Sequence, residues 1–297
     1  MKKVQYIIEF IFLKGFVFII NLFPWKYNSI LAKFFKPLLY LIGSYKKTTV
    51  DNIKKSNLDL EKRRYNFKNF LNEVFLQNIL TYIEMIQLIN MDEDDIKRHI
   101  TFNNKEVLDS LYRNKSENGI VFVLAHIGNW EILGQAVAFD YKLAAIARRQ
   151  NNPYTEKIIS DMREKSGLKI VYREGNVAFK VLKLLKRGYG VGFLNDQDGG
   201  LSGVTTSFMG RRCSTPQGPV AIALKTNSPI CFTYTLRKEN GDIQTYFEEP
   251  FYPEKKYDSK EKNIQHNLQK LVDIQEKIIK NNPAQWNWLA NRWRTKR

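Results

Sequence analysis

The chain has 297 residues, 43% of them apolar, and 47 Lys and Arg against 30 Asp and Glu give a formal net charge of +17. That composition supports a substantial core in one large or two modest domains and excludes an intrinsically disordered chain. The charge implies an anionic partner or surface, among phospholipid head groups, phosphorylated glycolipids, an acidic carrier protein and nucleic acid, or else a generally solvated basic surface. Only Cys213 and Cys231 are present, with no C-x-x-C pair, so neither a disulfide framework nor a structural zinc site is indicated, and a reducing compartment fits.

Residues 4–23 are long and apolar enough for a spanning helix but are interrupted by Glu9 and Lys14. No small-residue cleavage site closes the segment, which predicts a retained anchor. Trp25, Tyr27, Phe34, Phe35 and Tyr40 then alternate with Lys26, Lys33, Lys36, Lys46 and Lys47, a composition suited to the lipid interface and to a second amphipathic segment lying on the bilayer. If the first segment spans, the lysines that follow hold the bulk of the chain on the cytoplasmic side. The competing reading is a buried core helix.

From 61 to 91 apolar residues recur at helical spacing, predicting one or two long helices, with a capping region at 92–95 and a helical or irregular stretch over 96–118. An apolar run, 120–125, then reads as a buried strand and ends at His126-Ile-Gly-Asn-Trp-Glu131. Inside one helix His126 and Glu131 would lie roughly 140° apart and face away from each other. The spacing makes sense at a turn: His126 ends the strand, Gly128-Asn129 forms the turn, and Glu131 in the first helical turn points back to orient a general base. His99 and His266 have no carboxylate five residues later. Strand ends in open α/β sheets are where ligands bind.

Beyond this turn strands alternate with helices. Strands are predicted at 142–147, 169–172, 190–194, 222–225, 230–236 and 245–247, and helices at 154–166, 177–186 and 263–280. The alternation implies an α/β sheet with covering helices. Asn195-Asp196-Gln197-Asp198-Gly-Gly follows a strand end; its carboxylates can face a ligand, bind Mg²⁺ or cap the turn they open, the turn being preferred. Arg148-Arg149 follows another strand end, and Arg163 lies on the next helix. These can hold phosphate or an oxyanion, or simply form a solvated face. His126 lacks nearby second and third metal ligands, so a metal-free site is expected.

Taken in order, Ala-His126-Ile-Gly-Asn-Trp-Glu131, Ala-Arg148-Arg-Gln-Asn-Asn, Asp196-Gln-Asp198-Gly, Ser207-Phe-Met-Gly210 leading into Thr215-Pro-Gln-Gly218, and Pro283-Ala-Gln-Trp-Asn-Trp-Leu-Ala-Asn-Arg292-Trp-Arg-Thr-Lys resemble the lipid A biosynthesis acyltransferase family. These are the lauroyl and myristoyl transferases of the lysophospholipid acyltransferase superfamily. The resemblance covers about 120 to the C-terminus, and the N-terminal anchor is also of the family's kind. It departs at Asn195, where many members have proline.

The resemblance implies a glycerolipid acyltransferase-like fold, a mixed sheet flanked by helices. An N-terminal membrane anchor is expected over 1–47, a helical segment over 48–118 and the catalytic domain over 119–297. It implies transfer of a fatty acyl chain from acyl carrier protein, or a coenzyme A thioester, to a hydroxyl of an anionic membrane glycolipid. The phosphopantetheine arm belongs to the donor, and no other cofactor is expected. His126 matches the general base, Glu131 its orienting carboxylate, Arg163 an arginine needed for activity and Asp196 the first aspartate of the loop. Arg148, Asp198, Gly128 and Asn129 are expected to support or bind substrate. Arg163 or amides at the start of the helix after Gly128 are candidate oxyanion donors. Arg148, Arg292, Arg294 and Lys296 are expected on an anion-binding face at the inner membrane of a bacterium, with the catalytic domain cytoplasmic. Rival readings are the same fold acting on a lysophospholipid, a phosphatidylinositol mannoside or an aminolipid, a hydrolase using the same His, and a non-catalytic basic membrane-binding protein. No nucleic-acid motif is present.

Overall fold

In the computed structural model residues 2–41, 43–63, 65–113 and 118–296 are described, with side chains omitted at 38–41. Three helices open the chain, α1 (Lys2–Asn21), α2 (Asn28–Leu41) and α3 (Gly43–Lys55), followed by the long α4 (Phe67–Gln87). The helical periodicity that starts at 61 becomes a helix only at Phe67, because Asn66 caps it by accepting the Asn69 amide at 2.8 Å. The predicted cap at 92–95 is a capping box: Asp92 accepts from Asp95 N at 2.8 Å, and Asp95 accepts from Asp92 N at 3.3 Å. It starts α5 (Glu93–His99), which runs into β1 (Ile100–Phe102) and α6 (Lys105–Arg113). The remainder of the stretch expected to be helical or irregular, at 114–117, lies outside the described residues.

The α/β portion follows as β2 (Val121–Leu124), α7 (Trp130–Asp140), β3 (Leu143–Ala147), α8 (Pro153–Lys165), β4 (Lys169–Tyr172), α9 (Val177–Leu185) and β5 (Gly190–Leu194). Next come the hairpin β6 (Val204–Phe208) and β7 (Arg211–Thr215), then α10 (Gly218–Thr226), β8 (Ile230–Arg237), β9 (Ile243–Phe247) and α11 (Lys260–Asn281). Seven strands form one mixed sheet in the order β1-β9-β8-β2-β5-β3-β4. Only the β8–β9 pairing is antiparallel.

The fold replaces one predicted strand by a helix and adds one hairpin. The strand predicted at 222–225 lies within α10, which closes on Asn227 in the left-handed conformation at φ 52°. A short apolar run does not distinguish a buried strand from a helix. The β6–β7 hairpin had no counterpart in the periodicity; its two-residue loop, Met209-Gly210, holds both φ angles positive at 50° and 73°, as a hairpin turn twisted with its strands requires.

The largest core cluster joins the inner faces of β2, β5 and β8 to α4, α10, α11 and the tryptophans at 286, 288 and 293. The N-terminal helices sit on α4 through Ile20, Leu31, Ala32, Leu80 and Ile83. Of the aromatics expected at a lipid interface, Phe34 is 75% exposed and Phe35 is half-buried edge-on to Phe16 at 5.3 Å. Trp25 is buried: its indole donates to Gly241 O at 3.0 Å and stacks on His99 at 4.6 Å. A buried indole with a satisfied N–H is a core residue. The Tyr40 side chain lies outside the described residues.

Candidate active site

Strand register builds the site. In the parallel pair β2–β5, Leu124 stands opposite Leu194, so two residues further along each chain His126 and Asp196 meet at the carboxyl edge of the sheet. His126 Nδ1 lies 2.8 Å from Asp196 Oδ1, and the His126 amide donates to Oδ2 at 2.9 Å. The Trp286 indole also donates to Oδ2, at 2.8 Å. Asp196 is 2% exposed. Burial alone would push its carboxyl up, but the His126 charge, its ring and amide hydrogen bonds and the Trp286 bond outweigh burial and hold it below the ordinary carboxylate range. With Nδ1–H donated to a carboxylate, Nε2 carries the lone pair, the arrangement a general base needs. Gln197 Nε2 is 3.4 Å from the same Nδ1 and does not displace the shorter contact.

The expected partnership of His126 with Glu131 is therefore corrected. Glu131 forms a two-pronged pair with Arg163 of α8, through Arg163 Nε and through Nη2 at 3.0 Å. Both side chains are largely buried, 17% and 11% exposed. Burial would lower the Arg163 pKa, and the adjacent Glu131 charge more than reverses this, keeping the guanidinium charged. The first helical turn directs Glu131 toward α8, and the carboxylate for His126 comes from a strand 70 residues away.

The predicted turn is present. Gly128 adopts φ +60°, and an added Cβ would lie 2.2 Å from the Thr235 carbonyl oxygen, so this position tolerates only glycine. Asn129 caps α7, its Oδ1 accepting from Glu131 N at 3.1 Å and Ile132 N at 3.0 Å. The Gly128 amide donates to Gln285 O at 3.1 Å and that of Asn129 to Thr235 Oγ1 at 2.8 Å. Four amides named as candidate oxyanion donors or substrate contacts are thus already committed to the scaffold. Asn129 Nδ2 continues to Glu84 Oε2 at 3.0 Å, and Glu84 pairs with Arg237 at 2.6 and 2.7 Å. Thr81, which accepts from Arg237 at 3.2 Å, donates to Gly128 O at 2.9 Å. This buried network beneath the turn had no sequence signal; its members are far apart in the chain.

The Asp196–Asp198 loop divides its labour. Asp198 plays the expected turn role, accepting from Gly200 N at 2.6 Å, and also holds Thr295 by its amide and by its hydroxyl at 2.7 Å. Burial would raise the Asp198 pKa, but the Thr295 and Gly200 bonds outweigh it and the net shift is downward. Arg292, expected on an anion-binding face, is instead 1% exposed. It donates to Ser214 O at 2.6 Å and Thr215 Oγ1 at 2.7 Å, tying the C-terminal segment to β7. Arg148, Arg294 and Lys296 are exposed. Among the described residues no group of three His, Cys, Asp or Glu side chains is arranged to hold a metal ion.

Beside His126, Trp130 stands edge-on with ring centroids 4.7 Å apart. Trp130, Glu131 and Arg163 also line a cavity of about 90 Å³ between α7 and the sheet, which continues past Leu133, Leu124 and Phe122. Its lining is otherwise almost wholly apolar, with Gly134 and Gly192 keeping it open. The arrangement combines a base, a fixed carboxylate, a charged guanidinium and an apolar pocket.

The model of the bacterial lipid A biosynthesis acyltransferase family matches residues 1–295. The chain belongs to this family. No curated protein matches the chain. Membership in the lipid A biosynthesis acyltransferases makes the protein an acyltransferase, and the matched region includes α1, the sheet, the His126–Asp196 pair and the C-terminal segment as far as Thr295.

Proposed function

We propose that the protein transfers a fatty acyl chain from the thioester of acyl carrier protein, or less favourably of coenzyme A, to a hydroxyl of a lipid A-type glycolipid precursor at a bacterial inner membrane, on its cytoplasmic side. The observation that carries this reading is the His126–Asp196 pair at 2.8 Å, linked through the edge-on Trp130 ring to an apolar cavity, in an acyltransferase-family chain.

In this reading His126 Nε2 takes the acceptor hydroxyl's proton as its oxygen attacks the thioester carbonyl carbon. The C–S bond then breaks, and the imidazolium returns the proton to the departing thiolate. Asp196 keeps Nδ1 protonated and stabilises the imidazolium; no covalent acyl-enzyme is needed. Arg163, with Nε and Nη2 engaged by Glu131, supports the tetrahedral oxyanion, a contribution of about 3 kcal/mol for a well-placed donor. The acyl chain enters the cavity past Trp130. The excess of basic residues suits an acidic carrier protein and a phosphorylated acceptor.

The test is transfer of radiolabelled acyl chains from acyl carrier protein to a lipid A precursor by membranes containing wild type or His126→Ala. Product with wild type, and a loss of about 10²–10⁴-fold with the variant, is expected. Absence of product with wild type beside an active control enzyme would reject this acceptor, and release of free fatty acid without any acceptor would indicate a hydrolase.

A further inference from the structure

α1 has two apolar faces, and the molecule uses only one. Val17 and Ile20 are buried, and Tyr6, Phe10 and Leu13 are half-buried on the same side. At the start of this face Asn152, which caps α8, donates to Tyr6 O at 2.9 Å and Glu9 Oε2 at 3.0 Å, while the Phe10 and Tyr154 rings lie 5.2 Å apart. At its end Ile20 packs on Leu80 and Ile83 of α4. From Tyr6 to Ile20 the helix runs along the protein for about 21 Å at 1.5 Å per residue.

The opposite face carries Ile7, Ile8, Ile11, Phe12, Phe18 and Ile19, each between 38% and 74% exposed. At 100° per residue these fall within an arc of roughly 140°. α2, which meets α1 through Phe16 and Phe35, adds Ile30 and Phe34, 61% and 75% exposed. Residues 1–50 contain eight lysines and a single acidic residue, Glu9, which is the one held by Asn152.

By length and composition α1 is able to cross a membrane. Crossing requires about 20 residues within some 30 Å of hydrocarbon. Its docked stretch would then draw α8 in with it, including the exposed ion pair of Lys157 and Asp161, 76% and 50% exposed. Charged groups in that position are strongly disfavoured. An in-plane helix has no such conflict: one face buries in the acyl boundary, the other stays on the protein, and flanking lysines meet anionic head groups.

We infer that α1 lies in the plane of an anionic lipid surface and does not cross it, holding the end of β3 and the Asn152 turn beside that surface. This rests on the membrane association proposed above but not on the acyl-transfer chemistry. Asn152 lies five residues beyond Ala147, which lines the cavity, so the same contact brings the cavity's edge toward the lipid.

The experiment uses the full chain in native membranes, with Lys3→Cys and Lys296→Cys made separately and treated with a membrane-impermeant maleimide. Cys213 and Cys231 are buried and give a low background. Both introduced thiols are expected to label in inside-out vesicles and neither in intact cells. Any other pattern, above all labelling of the two from opposite faces, overturns the inference, as does recovery of the protein in the soluble fraction. In flotation with phosphatidylglycerol-containing vesicles, Ile11→Glu should weaken binding at least tenfold with the melting temperature unchanged; undiminished binding also overturns it. Correct topology without acyl transfer would leave this inference standing and remove the proposed function.

Discussion

Two acid–base pairs lie close to the same turn and serve different ends. Glu84 and Arg237 are 1% and 4% exposed at their side chains, and their hydrogen bonds run to Gln77, Thr81 and Asn129, all within the scaffold. His126 and Asp196 are 17% and 2% exposed at theirs. The carboxylate accepts three hydrogen bonds, whereas the imidazole commits one nitrogen to it and stands edge-on to Trp130, a residue that lines the cavity. Burial and charge alone would rank the Glu84–Arg237 pair first as a functional site. The discriminating feature is a more exposed imidazole with one nitrogen outside the pair, one aromatic ring away from a cavity, which the buried pair lacks.

The comparison breaks most visibly at Asp196. Asp196→Asn should cut kcat by about 10²–10⁴-fold in the acyl-transfer assay while the protein stays folded, because the ring loses its tautomeric control and countercharge. Glu84→Gln should do the reverse. It leaves Arg237 buried without its countercharge and should cost about 3–5 kcal/mol in urea unfolding, with kcat of the folded fraction nearly unchanged. A fall in kcat as large as that of Asp196→Asn would show the two pairs to be one machine. Trp286→Phe removes a single donor from Asp196 and keeps an aromatic ring; kcat should drop about tenfold with KM steady, in line with a hydrogen bond to a charged group. The smallest effect is on acid stability. Because the folded Asp196 carboxyl sits below its unfolded value, its contribution is present above the unfolded value and lost as pH falls through the folded one. Unfolding of the wild type below about pH 4 should therefore be steeper than that of Asp196→Asn.

How far the sequence could be read depended on the range of each contact. The β2–turn–α7 segment was legible because its determinants are neighbours: an apolar run, Gly128 for the positive φ and Asn129 for the cap. The capping box at Asp92 and the strands at Lys169–Tyr172 and Gly190–Leu194 were legible for the same reason. Glu131 was misread because proximity in the chain stood in for proximity in space. The partner of His126 is set by the Leu124–Leu194 register, which periodicity within each strand does not specify. Trp286 lies within one of the motifs that carry the family resemblance; a buried indole requires an acceptor, but nothing local in the chain names Asp196. The Glu84–Arg237 pair spans 153 residues and leaves no trace in either local pattern.

The position of Trp286 also affects timing. Ile127 forms a β-bridge with Trp286, and the Asn287 amide donates to His126 O at 2.8 Å, so the segment after α11 packs directly against the His126 backbone. During synthesis every strand of the sheet leaves the ribosome before this segment does. A nascent chain can therefore assemble its sheet and its His126–Asp196 pair while the carboxylate still lacks one of its donors. Full activity is deferred until a contact of long sequence separation forms, among the slower events in folding.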